Sequence, residues 1–206
     1  MLGSWLTDRP ISDFTRDTAA IADIPPYIGL VSNVGILLWC ASATIALMAA
    51  ALMKCTQAHA LTARFFMSLG ALASILMLDD FFQFHEWIFP KFLGVHEKMI
   101  FLLYGILLVY ILIRFRSVYL KANYFLLYSA LCCLALSVFI DRVPDNVIPY
   151  HYLFEDGFKL IGVASWLAFT LQAALYYISL ITVAHESRIY SEAKFTVVAG
   201  PSVLTT

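Results

Sequence analysis

Two adjacent aspartates, Asp79 and Asp80, stand near the end of a long apolar stretch, and His85 and Glu86 follow at once. His96 comes next, then Asp141, His151, Glu155, Asp156 and Lys159. Carboxylate plus imidazole is the donor set of zinc, iron and manganese sites. A divalent metal in such a set lowers the pKa of a bound water, so that it becomes a nucleophile near neutral pH. The residue types therefore mark Asp79, His85, His96, Asp141, His151, Glu155 and Asp156 as candidate metal ligands. Glu86 and Asp80 are candidate catalytic acid–base groups, and Lys159 is a candidate structural ion-pair partner.

These residues are far apart in sequence, and only a particular architecture brings them together. The chain is 62% hydrophobic and only 13% charged, against about 25% charged in soluble domains. A chain this apolar needs lipid as solvent for part of its surface. A spanning helix needs about 20 mostly apolar residues, and five segments answer: about 27–53, 65–84, 99–113, 124–140 and 157–183. The expected fold is all-α, a polytopic bundle of about five transmembrane helices over residues 27–184. Residues 1–26 carry Trp5, Leu6, Ile11, Phe14 and Ile21 among polar residues, and read as an interfacial segment or a loose terminus. They do not read as a cleaved signal peptide, because Asp8, Asp13 and Asp17 interrupt any apolar core. Residues 185–206 form a tail too short to span. The four cysteines lie in or beside apolar stretches without a CxxC, as small apolar residues do.

Five spans divide the loops between two faces. Face A takes the N-terminus and the loops around residues 84–98 and 141–156. Face B takes the loops around 54–64 and 114–123 and the tail. Face B carries seven basic residues (Lys54, Arg64, Arg114, Arg116, Lys121, Arg188, Lys194) and face A six (Arg9, Arg16, Lys91, Lys98, Arg142, Lys159). That balance leans toward a cytoplasmic face B, with the N-terminus outside, in a bacterial inner membrane. Twelve of the fourteen acids fall on face A, and only Glu186 and Glu192 fall on face B. All the candidate site residues thus share one shallow layer. If the second helix leaves the membrane near Phe84, Asp79 and Asp80 lie roughly 6–8 Å below that exit. Charges at such depth are costly and normally have partners. Successive helical residues point about 100° apart, so the two aspartates must find different neighbours, whereas Asp79, Gln83 and Glu86 would share a face.

Each residue also has a plainer reading. The three histidines suit a wet interface. Glu155, Asp156 and Lys159 suit a helix start with an i, i+4 ion pair. Asp141 can cap a helix or pair with Arg142. Lys159 or Lys98 can pair with one of the two aspartates.

DDFFQFHE, followed much later by EDGFKLIG, resembles a pattern of uncharacterised bacterial integral membrane proteins. These combine an acidic pair and His-Glu at one helix end with Glu-acid-Gly-x-Lys at the start of the last helix. There is a looser similarity to ceramidase-like membrane hydrolases, which gather acids and histidines around zinc at one end of a bundle. Five spans in place of their seven, and no paired histidines on a late helix, set this chain apart. The resemblance implies a metal-dependent hydrolase.

Three functions follow. One is a hydrolase-like enzyme that uses a divalent metal (zinc, or iron or manganese) on a lipid or amphiphile. Another is a non-catalytic accessory or assembly subunit of a larger membrane complex of respiratory or photosynthetic type. The last is a proton or cation pathway, for which face B offers no matching relay. The lipid bilayer is the expected partner, with other membrane subunits under the second reading. No basic stripe suggests nucleic acid. HExxH, Walker and GxSxG motifs are absent.

Overall fold

The computed structural model describes residues 10–56, 60–144, 146–147 and 149–198, without the side chains of residue 185 and residues 188–198. The expectations for Trp5 and Leu6, and for the end of the tail, lie outside the described residues.

The described residues are helical and turn structure without strands. Two short helices, α1 (Ser12–Thr15) and α2 (Thr18–Ala22), lie in the N-terminal segment and bury nothing. Asp17 caps α2, accepting the N–H groups of Ala19 and Ala20 at 2.8 and 3.3 Å. The long helices follow: α3 (Leu30–Cys55), α4 (Ala60–Phe82), α5 (Glu97–Arg114), the single turn α6 (Arg116–Tyr119), α7 (Tyr124–Asp141) and α8 (His151–Val198). A π-helix, Phe84–Leu93, joins α4 to α5.

Among the described residues, four helices are long and apolar enough to cross a membrane: α3, α4, α7 and α8 from His151 to Ala184. The protein is therefore a multi-pass membrane protein. At 18 residues, α5 reaches about 27 Å, close to the hydrocarbon thickness of about 30 Å. Glu97, Lys98 and Arg114 stand at its ends, where long side chains reach the headgroups. The whole is an all-α bundle of about five spans.

Helices α3 and α4 pack as one hairpin, α7 and α8 as another, and α3 lies against α8 to join them. In lipid, apolar surface does not drive helices together, so close packing of small residues has to. The buried face of α3 is accordingly mostly small, with Gly35, Ser42, Ala43, Ala46, Ala49 and Ala50 beside Trp39 and Met53. Gly70 on α4 lets Leu47 of α3 approach so closely that an added Cβ would lie 2.8 Å from its Cγ. Gly162 does the same for Leu134 between α8 and α7, also at 2.8 Å. Trp39 and Trp166 meet edge to face at 5.6 Å in the core. The Tyr177 hydroxyl donates to the Val118 carbonyl at 2.8 Å, tying α8 to the short turn α6.

Several boundaries differ from the expected ones. Helix α8 starts at His151 rather than near 157, and it continues past the expected end at 183 to Val198. The mixed stretch from His151 to Lys159 continues the helix whose Val163 and Trp166, one and two turns beyond Lys159, are buried in the core. α4 ends at Phe82, because Gln83 takes the left-handed conformation (φ 53). The shared face expected of Asp79, Gln83 and Glu86 therefore does not form.

Candidate functional site

The layer at face A begins with the turn at Gln83. That reversal carries His85 back over the last turn of α4. The backbone N–H of His85 donates to Asp79 Oδ1 at 2.9 Å, and its ring Nδ1 lies 2.6 Å from Asp79 Oδ2. A single carboxylate thus holds one residue by main chain and side chain. Both partners are buried, Asp79 to 3% exposure and His85 to 7%. The ring edge of His85 meets Phe101 of α5, with centroids 4.9 Å apart. Its other nitrogen, Nε2, lies 3.5 Å from Glu86 Oε1, and the Glu86 side chain is 58% exposed. Tyr104, also on α5, faces the Asp79 carboxylate.

This environment decides the charge of His85. Burial by itself pulls the imidazole pKa down, but the hydrogen bonds to Asp79 and then Glu86 outweigh it and lift it from 6.5 to about 9. His85 is an imidazolium at neutral pH, with both N–H groups directed at carboxylates. The hydrogen bond from His85 holds the Glu86 carboxyl below its ordinary range, against a smaller opposing effect of burial.

Asp80 turns the other way, as the 100° step requires. Lys159 Nζ from α8 donates to Asp80 Oδ1 at 2.9 Å, with the Asp80 side chain 10% exposed. Lys159 takes this partner across the bundle instead of Glu155 on its own helix. Asp156 and Glu86 add negative charge around the same ammonium.

The remaining groups form two further sets. Arg142 donates to Glu97 at 2.9 Å, approaches Asp141 at 3.3 Å, and lies 5.4 Å over the Phe101 ring. His151 is buried in the first turn of α8, not in a loop. Its Nε2 is 2.7 Å from the Ile140 carbonyl, and its Nδ1 is 3.8 Å from Glu155. His96 is exposed at the start of α5, beside an open cavity of about 540 Å³.

The structure therefore joins Asp79, His85 and Glu86 in one set and Asp80 and Lys159 in a second, with Glu86 close enough to Lys159 to link the two electrostatically. It leaves Asp141, His96 and the His151–Glu155 pair in sets of their own. Among the described residues, no three of the His, Cys, Asp and Glu side chains form a group that could hold a metal ion. In Asp79–His85–Glu86 both ring nitrogens of His85 already face carboxylates, Nδ1 at 2.6 Å and Nε2 at 3.5 Å. Sequence reasoning missed Phe101 and Tyr104. An aromatic residue in an apolar helix carries no sign that it lines a polar site.

No curated protein and no solved structure matches the chain. A family model described as a domain of unknown function, DUF8692, matches residues 1–173. That stretch includes every residue of the layer, and the chain belongs to this family.

Proposed function

We propose that the protein is a membrane-embedded, hydrolase-like enzyme that carries out acid–base chemistry on a lipid or other amphiphile at face A. The supporting observation is the Asp79–His85 pair at 2.6 Å, with the second ring nitrogen turned to an exposed glutamate. A base or acid held by a third group is the usual arrangement of proton-transfer sites. Asp79 orients the ring and stabilises its charge. His85 is the proton donor. The Nε2 proton goes to the leaving group, and the Glu86 carboxylate takes a proton from the attacking water and returns it to His85 Nε2, 3.5 Å away. Asp80, tied to Lys159, keeps the end of α4 against α8 rather than acting on substrate.

The test is turnover of mixed amphiphiles by the protein in lipid nanodiscs. Loss of product with His85→Gln, and a marked slowing with Glu86→Gln, is the expected result. Turnover that survives His85→Gln overturns the reading. A divalent metal, zinc or iron or manganese, is a further proposal for the same residues, and it requires His85 to lose its proton. Stoichiometric metal in protein purified near pH 9, released by chelator, is its signature.

A second reading, a non-catalytic subunit of a larger membrane complex, is favoured by the outer face of α5. Leu102, Leu103, Ile106 and Tyr110 are all exposed there. Reproducible co-purification with a defined partner in mild detergent supports it, and a solitary monomer argues against it. For orientation we propose a bacterial inner membrane with the N-terminus outside. Cysteine labelling from either side of the cell membrane tests this.

A further inference from the structure

A cavity at the head of α5 is lined by His96, Glu97, Lys98, Met99 and Arg142, with a volume of about 540 Å³. That is within the usual range of ligand sites, roughly 300–1,000 Å³. Two of its walls are cationic, Lys98 and Arg142. Arg142 is braced by Glu97 at 2.9 Å and Asp141 at 3.3 Å, so its guanidinium is held in place. Lys98 is exposed. The cavity lies at the N-terminal end of α5, where the apolar part of that helix begins.

Below it the same helix presents a continuous apolar stripe. Met99, Leu102, Leu103 and Ile106 are each more than half exposed, at the i, i+3, i+4, i+7 spacing of a single helix face. A polar pocket with fixed donors, continued by an apolar track along one helix, has the shape of an amphiphile. We propose that this face binds a phospholipid, its phosphate between Lys98 and Arg142 and its acyl chains along the outer stripe of α5. Arg suits phosphate because its planar donors meet two oxygens at once, and Lys adds a mobile point charge. Glu97 and Asp141 offset part of the Arg142 charge, which disfavours a multiply charged anion and favours a head group of low net charge.

The proposal concerns binding and stands without the acid–base reading. If that reading holds, the substrate's head lies one aromatic ring from His85, because Phe101 touches both Arg142 and His85.

The test uses the full chain in mild detergent, with thermal stability titrated against three probes. These are phosphatidylglycerol, diacylglycerol with the same acyl chains, and inorganic phosphate. Phosphatidylglycerol is expected to raise the midpoint at concentrations where the other two do not. Lys98→Gln is expected to weaken that effect about fivefold, the scale of one basic residue near an anionic surface. Lys98→Arg is expected to retain it, and both variants keep the unliganded midpoint. Diacylglycerol acting equally well overturns the head-group site. Inorganic phosphate acting equally well overturns the lipid. Unchanged affinity in Lys98→Gln overturns the placement.

Discussion

Lys159 of α8 reaches Asp80 of α4 at 2.9 Å and passes over Glu155, one turn away on its own helix. The choice has a physical cause. Asp80 is nearly buried, with its side chain 10% exposed, while that of Glu155 is 24% exposed and lies near His151. The costlier anion gains more from the cation. This single contact ties together the ends of two helices from different hairpins.

Breaking that pair should therefore destabilise the bundle. Lys159→Met leaves Asp80 without its cation, and Asp80→Asn leaves the ammonium without its anion. A fully buried pair would lose about 3–5 kcal/mol, but Lys159 keeps 36% of its side chain exposed. The expected loss is about 1–3 kcal/mol for either single variant. The double variant should recover much of it. Unfolding in detergent measures all three, and additive losses would show that the contact contributes nothing.

The His85 latch predicts a pH dependence. Its folded pKa, about 9, lies above the ordinary 6.5. The folded state thus binds the proton more tightly, and the latch contributes fully below about pH 6.5. Its contribution falls as pH rises and is gone once His85 titrates, above about pH 9. Thermal midpoints should drop across that window in wild type. His85→Gln should flatten the drop, which separates it from lysine and tyrosine titration in the same range.

The two close-approach glycines predict steric damage inside the bundle. In Gly70→Ala the new methyl meets Leu47 at 2.8 Å, and in Gly162→Ala it meets Leu134 at 2.8 Å. Each should cost about 1–3 kcal/mol, the usual price of overpacking. Gly105→Ala, with nothing within 4 Å of the added atom, is the control and should be neutral or slightly stabilising through helix propensity. Equal midpoints for all three would refute the packing account.

A smaller effect is expected at Tyr177. Tyr177→Phe removes the hydroxyl that donates to the Val118 carbonyl, which keeps only its backbone donor, the Lys121 N–H at 3.2 Å. The loss should be about 0.5–1.5 kcal/mol. Hydrogen exchange should rise in the residue 115–120 turn rather than throughout α8.

The amino-acid sequence alone determined the class of molecule, because apolar runs of membrane length leave helices as the only structure that satisfies the backbone in lipid. It also determined that Asp79 and Asp80 point to different neighbours, since that follows from helical geometry. Lys159 as an ion-pair candidate was legible too, with Glu155 on its own helix or one of the two aspartates as the partner. The partners themselves were decided by tertiary structure. The left-handed Gln83 ended α4 early and brought His85 onto Asp79, a reversal that no spacing rule announces. Helix α8 began six residues sooner than its apolar run suggests, because a packed helix can continue through a mixed stretch. Phe101 and Tyr104 joined the polar layer only because α5 lies beside it. Periodicity reports which residues share a helix, while contacts between helices depend on where each one ends and how close its neighbour can come.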